Sequence, residues 1–150
     1  MYDLLLILHS WLRWPALLAG VAATFMAFAS RPGSEAGSDK AGLIFTILLD
    51  VQFLLGILLY AVFSPTTAAV FDDFGGAMGD PVARFWAVEH ITLMLASVVV
   101  AHIGRVLARK ARTPAARRTR LLVSFAIATL GMLAAIPWPG MRAGRPLFRM

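Results

Sequence analysis

Four apolar stretches, each long enough to cross a bilayer, constrain this chain more than any other feature. They cover about residues 2–30, 41–64, 83–109 and 119–138. Roughly 20 apolar residues traverse the ~30 Å hydrocarbon layer as a helix. Backbone groups in lipid must be satisfied within their own segment, so the stretches are helices and not open strands. Hydrophobic residues make up 59% of the 150 and charged residues only 15%. A soluble domain of that size needs more polar surface to cover its core. The expected fold is therefore an all-α membrane protein comprising one integral domain over residues 1–150.

The connections set its topology. "SRPGSEAGSDKAG" (30–42) is a polar turn, and "RKARTPAARRTR" (109–120) is strongly basic. The longer "SPTTAAVFDDFGGAMGDPVAR" (64–84) carries Asp72, Asp73 and Asp80, and its "VFDDF" suggests a short interfacial helix. Short connections make sequential helices antiparallel, which predicts an up-down-up-down four-helix transmembrane bundle. Seven of the fourteen Lys and Arg residues fall between Arg105 and Arg120, with no acidic residue among them. The positive-inside rule makes that loop cytoplasmic and puts both termini outside. The location expected is a bacterial inner membrane, multi-pass. The same distribution argues against nucleic acid as the reason for the net charge of +6, because the charge is a loop and not a binding stripe.

"AFAS" (27–30) resembles a small-residue cleavage site. "MYD" is not a basic leader, however, and Arg13 and Pro15 interrupt the apolar run, so the first span reads as uncleaved. The chain has no cysteine. Disulfides, thiolate metal sites and C-x-x-C-H haem attachment are thereby excluded.

Membrane helices pack through small residues, and each span has a stripe of them. The stripes are His9, Arg13, Ala16, Gly20 and Ala23; Gln52 and Gly56; Trp86, His90, Met94, Ser97, Ala101 and Gly104; and Ser124, Ala128, Gly131, Ala135 and Trp138. At 1.5 Å per residue, His9, His90 and Gly131 lie roughly 10 Å from the outer end of their spans, and Gly56 roughly 12 Å. Histidines on the diagonal helices 1 and 3, with glycines on helices 2 and 4, thus share one layer. Two imidazoles so placed can supply both axial bonds to a haem iron. Glycines on the other diagonal would let the macrocycle approach the backbone. The alternative is that the histidines merely hydrogen-bond across the bundle. A zinc or copper site from His9, His90 and Glu89 ranks below haem.

Arg13 and Asp50 fall near mid-membrane on neighbouring helices. Because an unpaired charge there is costly, the expectation is a buried ion pair of Arg13 with Asp50 or with Glu89. A functional alternative makes Arg13 the counter-charge of a haem propionate or a quinone oxygen. Alternative readings of Glu89 are that it orients His9 or relays protons. His102 has no second histidine at its depth and reads as an interfacial residue.

Taken together, "LHSWLRW" (8–14), "RFWAVEH" (84–90), "GR" (104–105) and "IPWP" (136–139) resemble a group of small bacterial four-span membrane proteins often labelled cytochrome b-like. The resemblance covers most of the chain by order and spacing. It implies a protein with haem b, with His9 and His90 in the ligand positions, in a respiratory or related electron-transfer setting. The chain lacks the second histidine pair of larger membrane cytochromes b. The functional expectation is a small electron carrier, more carrier than enzyme, working with quinone and a membrane complex. The alternative is a cofactor-free accessory or assembly subunit of such a complex.

Overall fold

A computed structural model describes residues 1–31, 33–34 and 36–149. Among them the chain is helical throughout its ordered elements. Helix α1 is Tyr2–Ala29, and α2 is Ala36–Leu58, continued by a π-helical turn at Leu59–Phe63. Two short helices follow, α3 (Pro65–Asp72) and α4 (Phe74–Gly79). A single turn, α5 (Pro81–Arg84), leads through a second π-helical turn at Phe85–Glu89 into α6 (His90–Arg109), and α7 is Pro114–Ala135. Among the described residues, four helical units are long and apolar enough to cross a membrane: Tyr2–Ala29, Ala36–Phe63, Pro81–Arg109 and Pro114–Ala135. The protein is an all-α four-helix bundle.

Local chemistry explains the boundaries. Thr113 caps α7, accepting from the Ala116 N–H, and Pro114 occupies the first helical position. Asp80 and Pro81 do the same for α5, as do Ser64 and Pro65 for α3. Proline suits that position because its missing N–H would be unpaired there anyway. The expected "VFDDF" helix is two helices, because Asp73 leaves α3 and caps α4 through the Gly76 N–H. The fourth span ends at Ala135, one turn before the expected Trp138, since Pro137 cannot continue it.

Neighbouring spans run antiparallel. Along α1 and α7, Phe28 meets Arg118 while Trp14 meets Trp138. Along α2 and α6, Thr46 meets Arg105 while Tyr60 meets Ala87. The helices close a ring in chain order, which leaves α1 and α6 diagonal. The small-residue stripes do face inward: Ala16, Gly20 and Ala23, then Met94, Ser97, Ala101 and Gly104, then Ser124, Ala128 and Ala135 are all buried. A Cβ on Gly104 would overlap Ser124, which is how α6 and α7 come so close. Leucine, isoleucine and phenylalanine cover the outer faces, as at Leu18, Phe25, Leu54, Ile103 and Leu130, each at least half exposed. That inversion of the soluble pattern suits a lipid solvent.

The short α7 shapes one end of the bundle. At 22 residues it is six shorter than α1. It stops where His90 begins α6, while α1, α2 and the α5–α6 unit continue. The chain after Pro137 returns across the gap and takes the place of the missing helical turns.

Candidate functional site

The gap at the end of α7 is a cavity of about 130 Å³ lined by all four spans and the returning tail. His9 from α1 and His90 from α6 both face it. Their ring centres lie 6.3 Å apart with an interplanar angle of 73°. The two diagonal histidines expected in one layer are thus brought together.

Helix ends leave carbonyls without intrahelical partners, and one of these holds His90. Its Nδ1 lies 2.8 Å from the Ala135 carbonyl. The carbonyl can only accept, so Nδ1 carries the proton. A neutral imidazole has one N–H, which leaves Nε2 as its lone-pair nitrogen. A backbone carbonyl on the far ring nitrogen is the usual second contact of a metal-binding histidine. His9 is held differently. Its backbone carbonyl accepts from Gln52 Nε2 at 2.7 Å, while its buried Nδ1 has no hydrogen-bond partner. Gly56 stands beside this ring, and a Cβ there would meet His9 Cε1 at 3.3 Å. Three further buried polar atoms on cavity-lining side chains lack partners: Arg13 Nε, Gln52 Oε1 and Trp86 Nε1.

A metal–imidazole bond is about 2.0–2.1 Å and a ring nitrogen lies roughly 1.1 Å from its ring centre, so imidazoles flanking one ion sit about 6.3 Å apart. The observed separation matches. Two nitrogen donors do not complete a bare ion's shell, and among the described residues no group of three His, Cys, Asp or Glu comes together. Glu89 does not join His9 and His90; it pairs with Arg84 at 2.9 Å. The donor set therefore suits a metal that brings its own equatorial ligands.

The charged lining has one sign. Arg13, Arg145 and Arg149 border the cavity, and among the described residues no acidic one does. The expected ion pair of Arg13 with Asp50 or Glu89 does not form. Arg13 donates through a terminal guanidinium nitrogen to the Leu147 carbonyl at 2.5 Å. Asp50 is taken by His102, at 2.8 Å. Desolvation of Arg13 is thus offset by a backbone carbonyl supplied from the tail, a partner 134 residues away. His102 is likewise a paired residue and not a lone interfacial histidine.

"SWLRW" acts as a clamp on the tail. Trp11 Nε1 donates to the Arg149 carbonyl at 2.8 Å, and Trp14 Nε1 to that of Leu147 at 3.2 Å. Phe148 packs against both indoles, at 4.9 and 5.5 Å. Arg145 lies over the Trp86 ring at 5.4 Å. Gly131, expected to cradle a macrocycle, does not line the cavity. It faces Ser97, whose hydroxyl would overlap a Cβ there, and so it is a packing glycine of the α6–α7 seam.

Sequence reasoning missed Arg145, Arg149, Trp86 and Gln52 as members of this site. The polar spacing from Gln52 to Gly56 was a usable signal; the return of the tail had none. Comparison with protein-family models, curated proteins and solved structures finds no match for this chain.

Proposed function

We propose that the cavity holds a b-type haem with His9 and His90 as axial ligands, and that the protein is a small single-haem electron carrier of the cytochrome b-like kind. The observation that carries this reading is the pair of imidazoles 6.3 Å apart, one with its Nδ1 proton fixed on the Ala135 carbonyl. The residues present fit the group. Two imidazoles stand 6.3 Å apart, Gly56 lets the His9 ring pack close to α2, and three arginines, with no acidic residue beside them among the described lining, suit the propionates. Haem supplies one-electron chemistry when bound. The chain's own contribution would be to orient the two imidazoles, to offer Arg13, Arg145 and Arg149 to the group's carboxylates and to close the site with the tail. The positive-inside rule places this end of the bundle outside and "RKARTPAARRTR" in the cytoplasm, in a bacterial inner membrane.

The test is an absorption spectrum of detergent-purified protein supplied with haem. A Soret band and split α band on reduction, lost in His9→Ala and His90→Ala and kept in His102→Ala, are expected. No such bands, together with a stoichiometric co-purifying membrane complex, would overturn the proposal in favour of a cofactor-free accessory subunit.

A further inference from the structure

Three side-chain ion pairs stand on the surface of the bundle among the described residues. Two of them, Arg84 with Glu89 and Arg117 with Asp39, each include a residue from the first turn of a span, near a membrane face. The third does not. Asp50 of α2 and His102 of α6 meet through Oδ1 and Nε2, 2.8 Å apart. Asp50 lies about 21 Å along the axis from Ala36 and about 20 Å from Phe63. The two side chains are 42% and 46% exposed, and the seam that they bridge is the sparsest of the four between neighbouring spans. Among the described residues nothing bonds to Asp50 Oδ2 or to His102 Nδ1.

Hydrocarbon cannot solvate these two atoms, and leaving a polar pair against it is costly. A second copy of this chain satisfies both by symmetry. Every copy enters the membrane with the basic 109–120 connection on the same side, so a two-fold axis relating two copies runs along the membrane normal. Such an axis preserves depth and exchanges sides: it sets α2 of one copy opposite α6 of the other. Asp50 and His102 share one depth and stand on opposite sides of their seam. Asp50 therefore faces the partner's His102, and His102 faces the partner's Asp50. With both ring nitrogens protonated, each imidazole donates to its own Asp50 and to the partner's Asp50. The four groups then close a ring of alternating charge with no net charge. The apolar surroundings match in the same way. Helices α2 and α6 run in opposite directions, so Leu54, four residues from Asp50, is level with Val99, three residues from His102. Ile47 is level with Val106 on the other side of the pair. All four are exposed. A foreign helix would need an acid and a base at this one depth; a second copy carries them necessarily. We infer that the chain forms a parallel homodimer through its α2–α6 face, with Asp50 and His102 at the centre of the interface. The inference is independent of the haem reading.

The chain has no cysteine, so thiol cross-linking of the full chain in its membrane starts from a silent background. Two differently tagged copies are co-expressed, one with Leu54→Cys and the other with Val99→Cys, and oxidised with copper phenanthroline. A disulfide joining the two tags is expected. The same is expected for Ile47→Cys with Val106→Cys, and none for Leu18→Cys with Leu130→Cys on the outer faces of α1 and α7. Replacing the pair in both copies (Asp50→Leu with His102→Leu) should lower the cross-linked fraction roughly tenfold, about the effect of losing two interhelical hydrogen bonds in lipid. The exchange of Asp50→His with His102→Asp keeps the face self-complementary and should keep the cross-link. Absence of the α2–α6 disulfides, an equal yield at Leu18 and Leu130, or a leucine variant that cross-links as well as the native pair overturns the inference. So does capture of a different membrane protein at Leu54→Cys without self cross-linking. If the leucine variant does not reach the membrane, the contrast between the two faces of the otherwise native chain decides the matter.

Discussion

His90 donates its Nδ1 proton to the carbonyl oxygen of Ala135, 2.8 Å away. The bond does two things at once. It satisfies an orphan carbonyl at the end of α7, and it fixes which ring nitrogen keeps a lone pair. Substitutions can separate these roles. His90→Asn retains an amide N–H near the Nδ1 position, so its thermal stability should fall by less than about 1 kcal/mol. His90→Ala leaves the carbonyl unpaired and should cost about 1–3 kcal/mol. Both should lose the haem spectrum. A spectrum that survives His90→Asn would remove His90 from the ligand set.

Gly131 and Ser97 form a second testable pair. Gly131→Ala drives a methyl group into the Ser97 hydroxyl and should destabilise the bundle by about 1–3 kcal/mol, as overpacking does. The Ser97 Cβ itself would stand 3.7 Å from the new methyl, an ordinary contact. Adding Ser97→Ala should therefore recover most of the loss, as read from denaturation in detergent. Failure of the double variant to recover would mean that Gly131 serves something other than the α6–α7 seam.

Gly56 of α2 is set against the His9 ring of α1. Gly56→Ala needs only a small shift of the ring, because the new Cβ meets Cε1 at 3.3 Å, and should retain bound haem. Gly56→Leu should displace the ring and cut the Soret absorbance by more than half while far-ultraviolet circular dichroism stays unchanged. Equal haem content in both variants would contradict the placement of His9 as a ligand.

Arg13 holds the tail through a charged hydrogen bond, a class worth about 1.5–3 kcal/mol. Arg13→Ala should speed hydrogen exchange in residues 144–149 by roughly tenfold or more, since each 1.4 kcal/mol of opening free energy is about a factor of ten. Trp11→Phe removes one neutral bond and should do less. Unchanged exchange in Arg13→Ala would show that the indole bonds, the Arg145 contact and Phe148 packing secure the tail without it.

The spans, their antiparallel order and their inward stripes were legible in the residues because hydrophobic length and small-residue spacing are local signals. The meeting of His9 and His90 was legible for the same reason: equal depth follows from counting along two helices. The partners of the charged groups were not. Arg13 had two plausible carboxylates by depth, yet both were already taken, Glu89 by a neighbour five residues away and Asp50 by His102 across a seam. Depth counts place residues along an axis and carry no information about rotation around it. That is also why Gly131, in the right layer, turned out to face Ser97. The tail was illegible for a different reason. Residues 137–149 have no periodicity, and their attachment runs through carbonyls, which every residue possesses.

This last point separates two properties of the cavity mouth. Trp11, Arg13 and Trp14 grip the main chain at Leu147 and Arg149, while Phe148 and Arg145 are held by their side chains, against the two indoles and over Trp86. The closure of the site and the charge that Arg149 lends it are therefore independent variables. Arg149 can be exchanged for a neutral or acidic residue without removing any of these contacts, so the affinity of the cavity for an anionic ligand can drift, or be engineered, while the fold that encloses it stays shut.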